Sequence, residues 1–268
     1  MADAPSTPPP PSIPDAPPLM APRKQRLKYE ERGYLTPVTL KYDEAMVRLL
    51  NFNTALTALK IEGDINNTQA ERIVAAAAKT EKRDSNNKVI AVKRRIDICR
   101  AIRMHNRKLT VIPPSIETMN DLEELVLSDN KFTSIPNLTN LEFLRVLDMQ
   151  LNQISTLPDT MGNLHSLMEL DLSTNRITRL PTTLTKLTKL VVVELNRNLI
   201  NDAGANDLAI IFNRHTNLMR LDLSSNKINE DGCKIVITCM DTVTSLCFLD
   251  LIRNPGYSNE VERLINQF

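Results

Sequence analysis

The chain has 268 residues, 42% hydrophobic and 24% charged, with aromatics at only 4% and no tryptophan. That length supports one good-sized core or two small ones and excludes a wholly disordered chain, and no run of about 18 apolar residues is present to span a membrane. Thirty-three basic against 32 acidic side chains leave a net charge of +1, so no global field points at nucleic acid or an anionic membrane and charge arguments must be regional.

Nine of the sixteen prolines lie in residues 1–22, a composition that cannot bury a core and favours extended polyproline conformations. This stretch reads as a disordered tail. Pro8 to Pro11 would be preformed for an SH3, WW or profilin-type groove, and a solubilising extension is the plainer reading. The first twenty residues lack any basic side chain and carry Asp3 and Asp15, which argues against a secretory or mitochondrial presequence. Cys99, Cys233, Cys239 and Cys247 show no CxxC spacing, which fits a reduced, intracellular compartment.

Residues 23–98 form a flank with two early matches to a pattern, LxxLxL, that becomes regular further on. Leu35, Val38 and Leu40 match it before the apolar Met46, Leu49 and Leu50. Leu56, Leu59 and Ile61 match again, followed by Ala70, Ile73, Val74 and Ala77 at helical spacing, which predicts a degenerate repeat carrying a helix. Val89, Val92 and Ile96 predict one more helix face. The segment from Lys79 to Lys108 holds eleven basic and three acidic residues, the one strong charge asymmetry in the chain. Lys93, Arg94, Arg95, Arg100 and Arg103 are its candidate docking residues, suited to an acidic surface such as RNA, an anionic headgroup layer or an acidic polymer like a microtubule; a solvated helix face is the alternative. No aromatic is interleaved, which disfavours nucleic acid bound by base stacking.

Over residues 99–268 the form LxxLxLxxNxL repeats seven times, with copies starting at Cys99, Leu122, Leu144, Leu167, Leu190, Leu218 and Leu246. The Asn position falls at 107, 130, 152, 175, 198, 226 and 254, with Arg107 replacing Asn in the first copy. The steps are 23, 22, 23, 23, 28 and 28 residues, so two repeat types are joined. Short copies carry Ile112-Pro113, Ile135-Pro136, Leu157-Pro158 and Leu180-Pro181, which predict an extended or 3₁₀ return segment. Long copies replace the proline with Ala205, Leu208, Ala209 and Phe212, or with Cys233, Val236, Ile237 and Met240, each at helical spacing. Val261, Leu264, Ile265 and Phe268 predict a capping helix over 258–268, with Asn259 as N-cap and Glu262 as its reciprocal acid. Alternation within each LxL points two framework side chains into the core and the residue between them outward. The Asn amide is placed to satisfy backbone groups of its own turn and the next.

These residues resemble the leucine-rich repeat family, and in particular an intracellular mixture of short LP-type repeats, as in Shoc2/Scribble-like proteins, with ribonuclease-inhibitor-like repeats. The resemblance implies an α/β leucine-rich repeat solenoid, a curved horseshoe with a parallel concave sheet and a convex side of 3₁₀, extended and helical segments. It also implies a noncatalytic protein-interaction module, an adaptor or structural subunit, that binds one or more proteins through its concave face. Cytoplasmic assemblies, including cytoskeletal and ciliary ones, use such proteins; a regulatory subunit of a protein phosphatase or small GTPase pathway is the alternative, although the mixed 23- and 28-residue steps fit neither uniform array.

On the concave face the outward row would carry Asp148, Asp171, Glu194, Asp222 and Asp250, five carboxylates about 4.8 Å apart that call for answering cations among Arg176, Arg197, Arg220, Lys227 and Arg253. They form either a stripe for a basic partner or ordinary repeat wording. Val126, Val146, Val192, Phe248 and Ile252 fall on the same face as candidate apolar anchors. No His, Cys or Ser constellation suggests catalysis, a metal site or a cofactor. Asn254-Pro-Gly-Tyr257 has the NPxY form, but Asn254 is already accounted for as the last ladder residue.

Overall fold

The computed structural model describes residues 38–41, 58–62, 64–78, 81–83, 89–92, 99–213 and 215–266. Tertiary contacts divide the chain into Met1–Tyr34 and Leu35–Phe268, and every described residue falls in the second unit.

The strands are β1 (Val38–Lys41), β2 (Ala58–Glu62), β3 (Glu81–Arg83), β4 (Val89–Val92), β5 (Ala101–Arg103), β6 (Glu124–Val126), β7 (Val146–Asp148), β8 (Glu169–Asp171), β9 (Val192–Glu194), β10 (Arg220–Asp222) and β11 (Phe248–Asp250). Nine of them form one sheet in the order β1-β2-β5-β6-β7-β8-β9-β10-β11, with every neighbouring pair parallel. β3 and β4 make a separate antiparallel hairpin. That corrects the expectation of a helix face through Val89 and Val92: the β-branched run Val-Ile-Ala-Val extends and pairs with Glu81–Arg83. Ile96 and the apolar group at Met46, Leu49 and Leu50 lie outside the described residues.

Three-residue strands cannot stand alone, and their central side chains show what holds them. Ile102, Leu125, Leu147, Leu170, Val193 and Leu221 are all buried, each contributing about 1.5–3 kcal/mol of transfer free energy. Beneath them Met104, Leu127, Met149, Leu172, Leu195, Leu223 and Leu251 continue the same core.

At the exit of each strand the Asn ladder closes the turn. Asn175 accepts from Ile154 N–H (2.9 Å) through Oδ1 and donates through Nδ2 to the Met149 and Leu172 carbonyls (3.0 Å each). Asn130, Asn152, Asn198, Asn226 and Asn254 repeat this arrangement. The neighbour each amide reaches is the preceding repeat, not the following one as the sequence reading had it. Two further backbone ladders run alongside. The residue before each Asn donates its N–H to the next repeat, as in Leu151 N to Ser173 O (2.9 Å), and the residue after it donates to the previous repeat, as in Arg176 N to Ile154 O (2.8 Å). The residue before each Asn sits in the left-handed region: Asp129, Leu151, Thr174, Arg197, Ser225 and Arg253 have φ between 55° and 62°.

On the opposite side the two repeat types diverge. Prolines 113, 158 and 181 introduce 3₁₀ turns at Pro114–Thr118, Asp159–Asn163 and Thr182–Lys186. After Ile135-Pro136 no such turn forms, because this copy is one residue shorter between Ile135 and Leu141 than its neighbours and Leu138 alone fills the space. The helices are α1 (Asn67–Ala78), α2 (Asp202–Phe212), α3 (Glu230–Met240) and α4 (Asn259–Ile265). The N-cap of α4 is Ser258, whose Oγ accepts from Val261 N–H (3.3 Å), and Asn259 is already helical, which corrects the predicted cap by one residue.

Polar staples fasten each helix to a neighbouring repeat. Asn67 of α1 donates to Thr110 Oγ1 (2.7 Å) and accepts from Thr110 N–H (3.0 Å). Asp207 of α2 is buried and accepts from Arg179 Nε and Nη2 (2.5 and 2.9 Å) together with Leu180 N–H (3.2 Å). Asp202 accepts from Asn229 N–H (2.7 Å) at the start of the next repeat. Gly232 allows that approach, since a Cβ there would lie 2.4 Å from Asp202 Oδ1. At the end of the array Gly256 packs onto backbone, and a Cβ would fall 2.0 Å from the Asn229 carbonyl carbon.

Candidate functional site

The sheet face away from the core carries two rows of side chains set by strand register. Pairing of β7 to β11 places Asp148, Asp171, Glu194, Asp222 and Asp250 side by side, with Val126 next in line on β6 and Arg103 on β5. The second row, two residues earlier, runs Ala101, Glu124, Val146, Glu169, Val192, Arg220 and Phe248. The predicted acids and apolar anchors therefore share one surface.

Five adjacent carboxylates survive because most turn along their own strand. Asp148, Asp171, Asp222 and Asp250 each accept, through Oδ1, the N–H two residues on, at 3.1, 3.0, 3.0 and 2.8 Å. This is the short-range side-chain capping that Asp favours where a strand ends. Glu194 is one methylene longer and instead accepts from Arg220 Nε at 2.7 Å, while Asn196 Nδ2 bridges Glu194 and Asp222 at 3.3 Å each. Arg220 also lies 3.6 Å from Asp222 and stacks 3.7 Å over the Phe248 ring. Of the five cations proposed from sequence, Arg220 is the one that joins this row. Arg176, Arg197, Lys227 and Arg253 are exposed on the turns that follow the strands and make no ion pair among the described residues, although the Arg253 charge acts on Asp250.

Burial varies along the row. Asp171, Glu194 and Asp222 are buried, whereas Asp148 and Asp250 are half-buried. Burial, reinforced by the Asp222 charge, raises the Asp250 pKa above the ordinary carboxylate range, against the pull of Ile252 N–H and the Arg220 and Arg253 charges. Val126, Val146, Val192 and Phe248 are half-buried, and Ile252 at the rim is exposed.

In the basic region Arg103 forms a forked pair with Glu124 (2.5 and 2.8 Å) and Arg100 pairs with Glu123 at 3.3 Å. Sequence reasoning names neither acid, because on the row that holds Glu124 it takes only the apolar Val146, Val192 and Phe248. Lys93, Arg94 and Arg95 lie outside the described residues. Among the described residues no group of three or more His, Cys, Asp or Glu side chains could hold a metal ion, and no helix is long and apolar enough to cross a membrane. Burial pushes the Cys233 thiol up to about 11, with Asp202 and Glu230 adding to the shift, so it remains protonated.

Leucine-rich repeat family models match residues 121–141, 142–200 and 214–234. No curated protein sequence matches the chain. Among solved structures, an internalin of Listeria monocytogenes is similar over 79% of this chain and 51% of its own, at 21% identity and a TM-score of 0.56. A leucine-rich repeat protein of Leptospira interrogans is similar over 84% of this chain and 56% of its own, at 22% identity and a TM-score of 0.61. The chain thus spans about half the length of these structures. Leucine-rich repeats are commonly protein-interaction modules, and this chain carries such repeats in an α/β leucine-rich repeat solenoid.

Proposed function

We propose that the chain is a noncatalytic protein-interaction module, an adaptor or structural subunit of a larger intracellular assembly, with cytoskeletal and axonemal assemblies as the first class to test. A tail (1–22), a flank (23–98) and a repeat array (99–268) divide the labour in this reading. The array binds a protein partner through the acidic row and its flanking Val126, Val146, Val192 and Phe248, while the basic flank engages an acidic surface. The observation that supports it best is a continuous sheet face on which a row of immobilised carboxylates runs beside the half-buried Val146, Val192 and Phe248. Fixed acceptors beside apolar anchors suit a protein surface that offers basic and apolar groups together.

Co-purification from cells with mass spectrometry tests this. Reversing Asp148, Asp171 and Glu194 to Lys should remove one set of partners, and reversing Lys93, Arg94 and Arg95 to Glu another. Because the acids also cap strand ends, the variant Val146→Lys with Val192→Lys is run beside them, with melting curves to show an intact fold. Loss of no partner in any folded variant overturns the reading.

A further inference from the structure

Away from the sheet face, the edge formed by the Asn-ladder turns carries a feature that no part of the proposed function uses. Lys108, Lys131, Arg176, Arg197, Lys227 and Arg253 are all exposed there, each from a turn immediately next to the ladder position. None makes an ion pair among the described residues, and Asp129 is the one acid in the same turn positions, the residue before or after each ladder Asn. Every copy but the third contributes a cation. The inter-repeat backbone bonds already described, such as Lys131 N to Leu109 O and Lys227 N to Ile200 O (2.8 Å each), hold these turns in register, so the strip is a ruler and not a loose scatter of charge.

A second observation falls on the same edge. Of the six large apolar residues exposed among those described, three belong to these turns: Leu151, Leu199 and Ile252. They come from the third, fifth and seventh copies, one in every second repeat. They occupy different points of the turn, so the apolar row wanders across the strip instead of running straight. Leu151, Arg197 and Arg253 moreover hold φ of 57°, 56° and 62°, where Asn or Gly would fit with less strain. Long side chains at such positions, exposed to solvent, are not explained by core packing.

We propose that this edge is a second docking surface, and that its occupant is an acidic segment of a partner protein in an extended, polyproline-like conformation with an apolar residue at every third position. The spacing argument is direct. Strands repeat at about 4.8 Å, so every second repeat is about 9.6 Å apart. Three residues of polyproline II advance about 9.3 Å and bring side chains back to the same face. Acidic residues between the apolar ones meet the cations of the strip. A nucleic acid fits less well, because no aromatic side chain lies among these turns for a base to stack on and the acidic row lies on the neighbouring face.

The test uses the full chain and a fluorescent peptide of four Glu-Glu-Leu triplets. Controls are an all-Glu peptide of equal length, a peptide of the same composition with its leucines consecutive, and a single-stranded oligonucleotide of equal charge. The triplet peptide should bind saturably, with affinity falling as salt rises. The combination Lys131→Glu, Arg176→Glu, Arg197→Glu and Lys227→Glu should weaken it by about tenfold or more. Leu151→Ser with Leu199→Ser should weaken the triplet peptide but not the all-Glu one. Neutral Gln variants at the four cations are run in parallel and should give the same ranking if the reversal perturbs folding. Val146→Lys with Val192→Lys, on the sheet face and outside the ladder turns, should leave peptide binding in place, which separates this surface from the sheet face. Absence of saturable binding, equal binding of the rearranged peptide, tighter binding of the oligonucleotide, or indifference to all strip variants overturns the proposal.

Discussion

The short repeats between Cys99 and Lys189 and the long ones that follow share a sheet, a ladder and a left-handed turn residue, yet close their opposite sides by different physics. In the short copies a proline sets φ and removes a donor, so the return segment needs little more than one 3₁₀ turn and one buried aliphatic such as Ile116 or Leu184. In the long copies a three-turn helix is held by charged and polar staples, Arg179 to Asp207 and Asn229 to Asp202, and needs Gly232 for clearance. The sheet side is therefore specified by the ladder alone, and the opposite side is free to vary as long as its volume and polar groups are accounted for.

That comparison breaks most visibly at the ladder. Asn175→Ala in a short copy would leave Ile154 N–H buried without a partner, at about 1–3 kcal/mol, and would take one of two amide donors from each of the Met149 and Leu172 carbonyls, which keep Asn152 and Asn198, at about 0.5–1.5 kcal/mol each. A loss of about 3–5 kcal/mol by chemical denaturation is expected. Asn226→Ala in a long copy strands Ile200 N–H and takes one of two donors from the Leu195 and Leu223 carbonyls, which keep Asn198 and Asn254, and should cost the same within about 1 kcal/mol. A markedly cheaper loss on the helical side would mean that the helices carry the sheet.

The junction is the next test. Asp207→Ala removes a buried acceptor of three hydrogen bonds, leaving Leu180 N–H unpaired, and should cost about 2 kcal/mol, less than a ladder Asn because Arg179 is itself well exposed. The Arg179 hydrogen bonds hold the Asp207 pKa below its ordinary value. A carboxylate depressed in the folded state stabilises above its unfolded pKa of about 3.9 and loses that contribution as pH falls through the lower folded value. The wild-type advantage over Asp207→Ala should shrink only below about pH 4.

What the sequence disclosed follows the same division. Strands, ladder and helices were legible because seven copies repeat one spacing, and even the missing 3₁₀ turn after Pro136 shows in the 22-residue step. Asp207 was not legible: it follows Gly204 and Ala205 in a helix whose polar positions read as solvent-facing, and only the reach of Arg179 from the preceding repeat makes its burial tolerable. Arg103 and Arg100 read as free cations because their partners Glu124 and Glu123 lie more than twenty residues away, across a strand pair that a single copy cannot reveal. The left-handed turn residues carried no signal either, since Leu151, Arg197 and Arg253 stand where a glycine would have announced the geometry.

His215 offers a finer probe of the long side. It takes the column filled elsewhere by Met119, Leu141, Leu164, Leu187 and Val243, is buried against Phe212 with ring centroids 5.0 Å apart, and neither ring nitrogen has a hydrogen-bond partner. Burial lowers its pKa; the carbonyls of Ile211, Leu187 and Leu184 favour the charged form but none reaches hydrogen-bonding geometry, so burial prevails. A histidine kept neutral by the fold stabilises above its unfolded pKa of about 6.5 and costs stability as pH falls from there toward the folded value, by at most about 1.4 kcal/mol per pH unit. His215→Leu should flatten the dependence of the denaturation midpoint on pH below about 6.5. An unchanged pH slope would mean that the ring is not confined as its contacts indicate.

The smallest effect expected tests what both halves share. Leu151 holds φ of 57° with an exposed side chain, so Leu151→Asn relieves left-handed strain without removing any core contact, and should raise stability by about 0.5–1 kcal/mol. Arg253→Asn, in the last long copy at φ 62°, should gain a similar amount, because the turn is set by the ladder and not by the repeat type. The two substitutions are far apart and should add. A gain confined to one half would show that the return segment, short or helical, reaches through to the turn, and that the sheet side is less independent of the opposite side than its geometry implies.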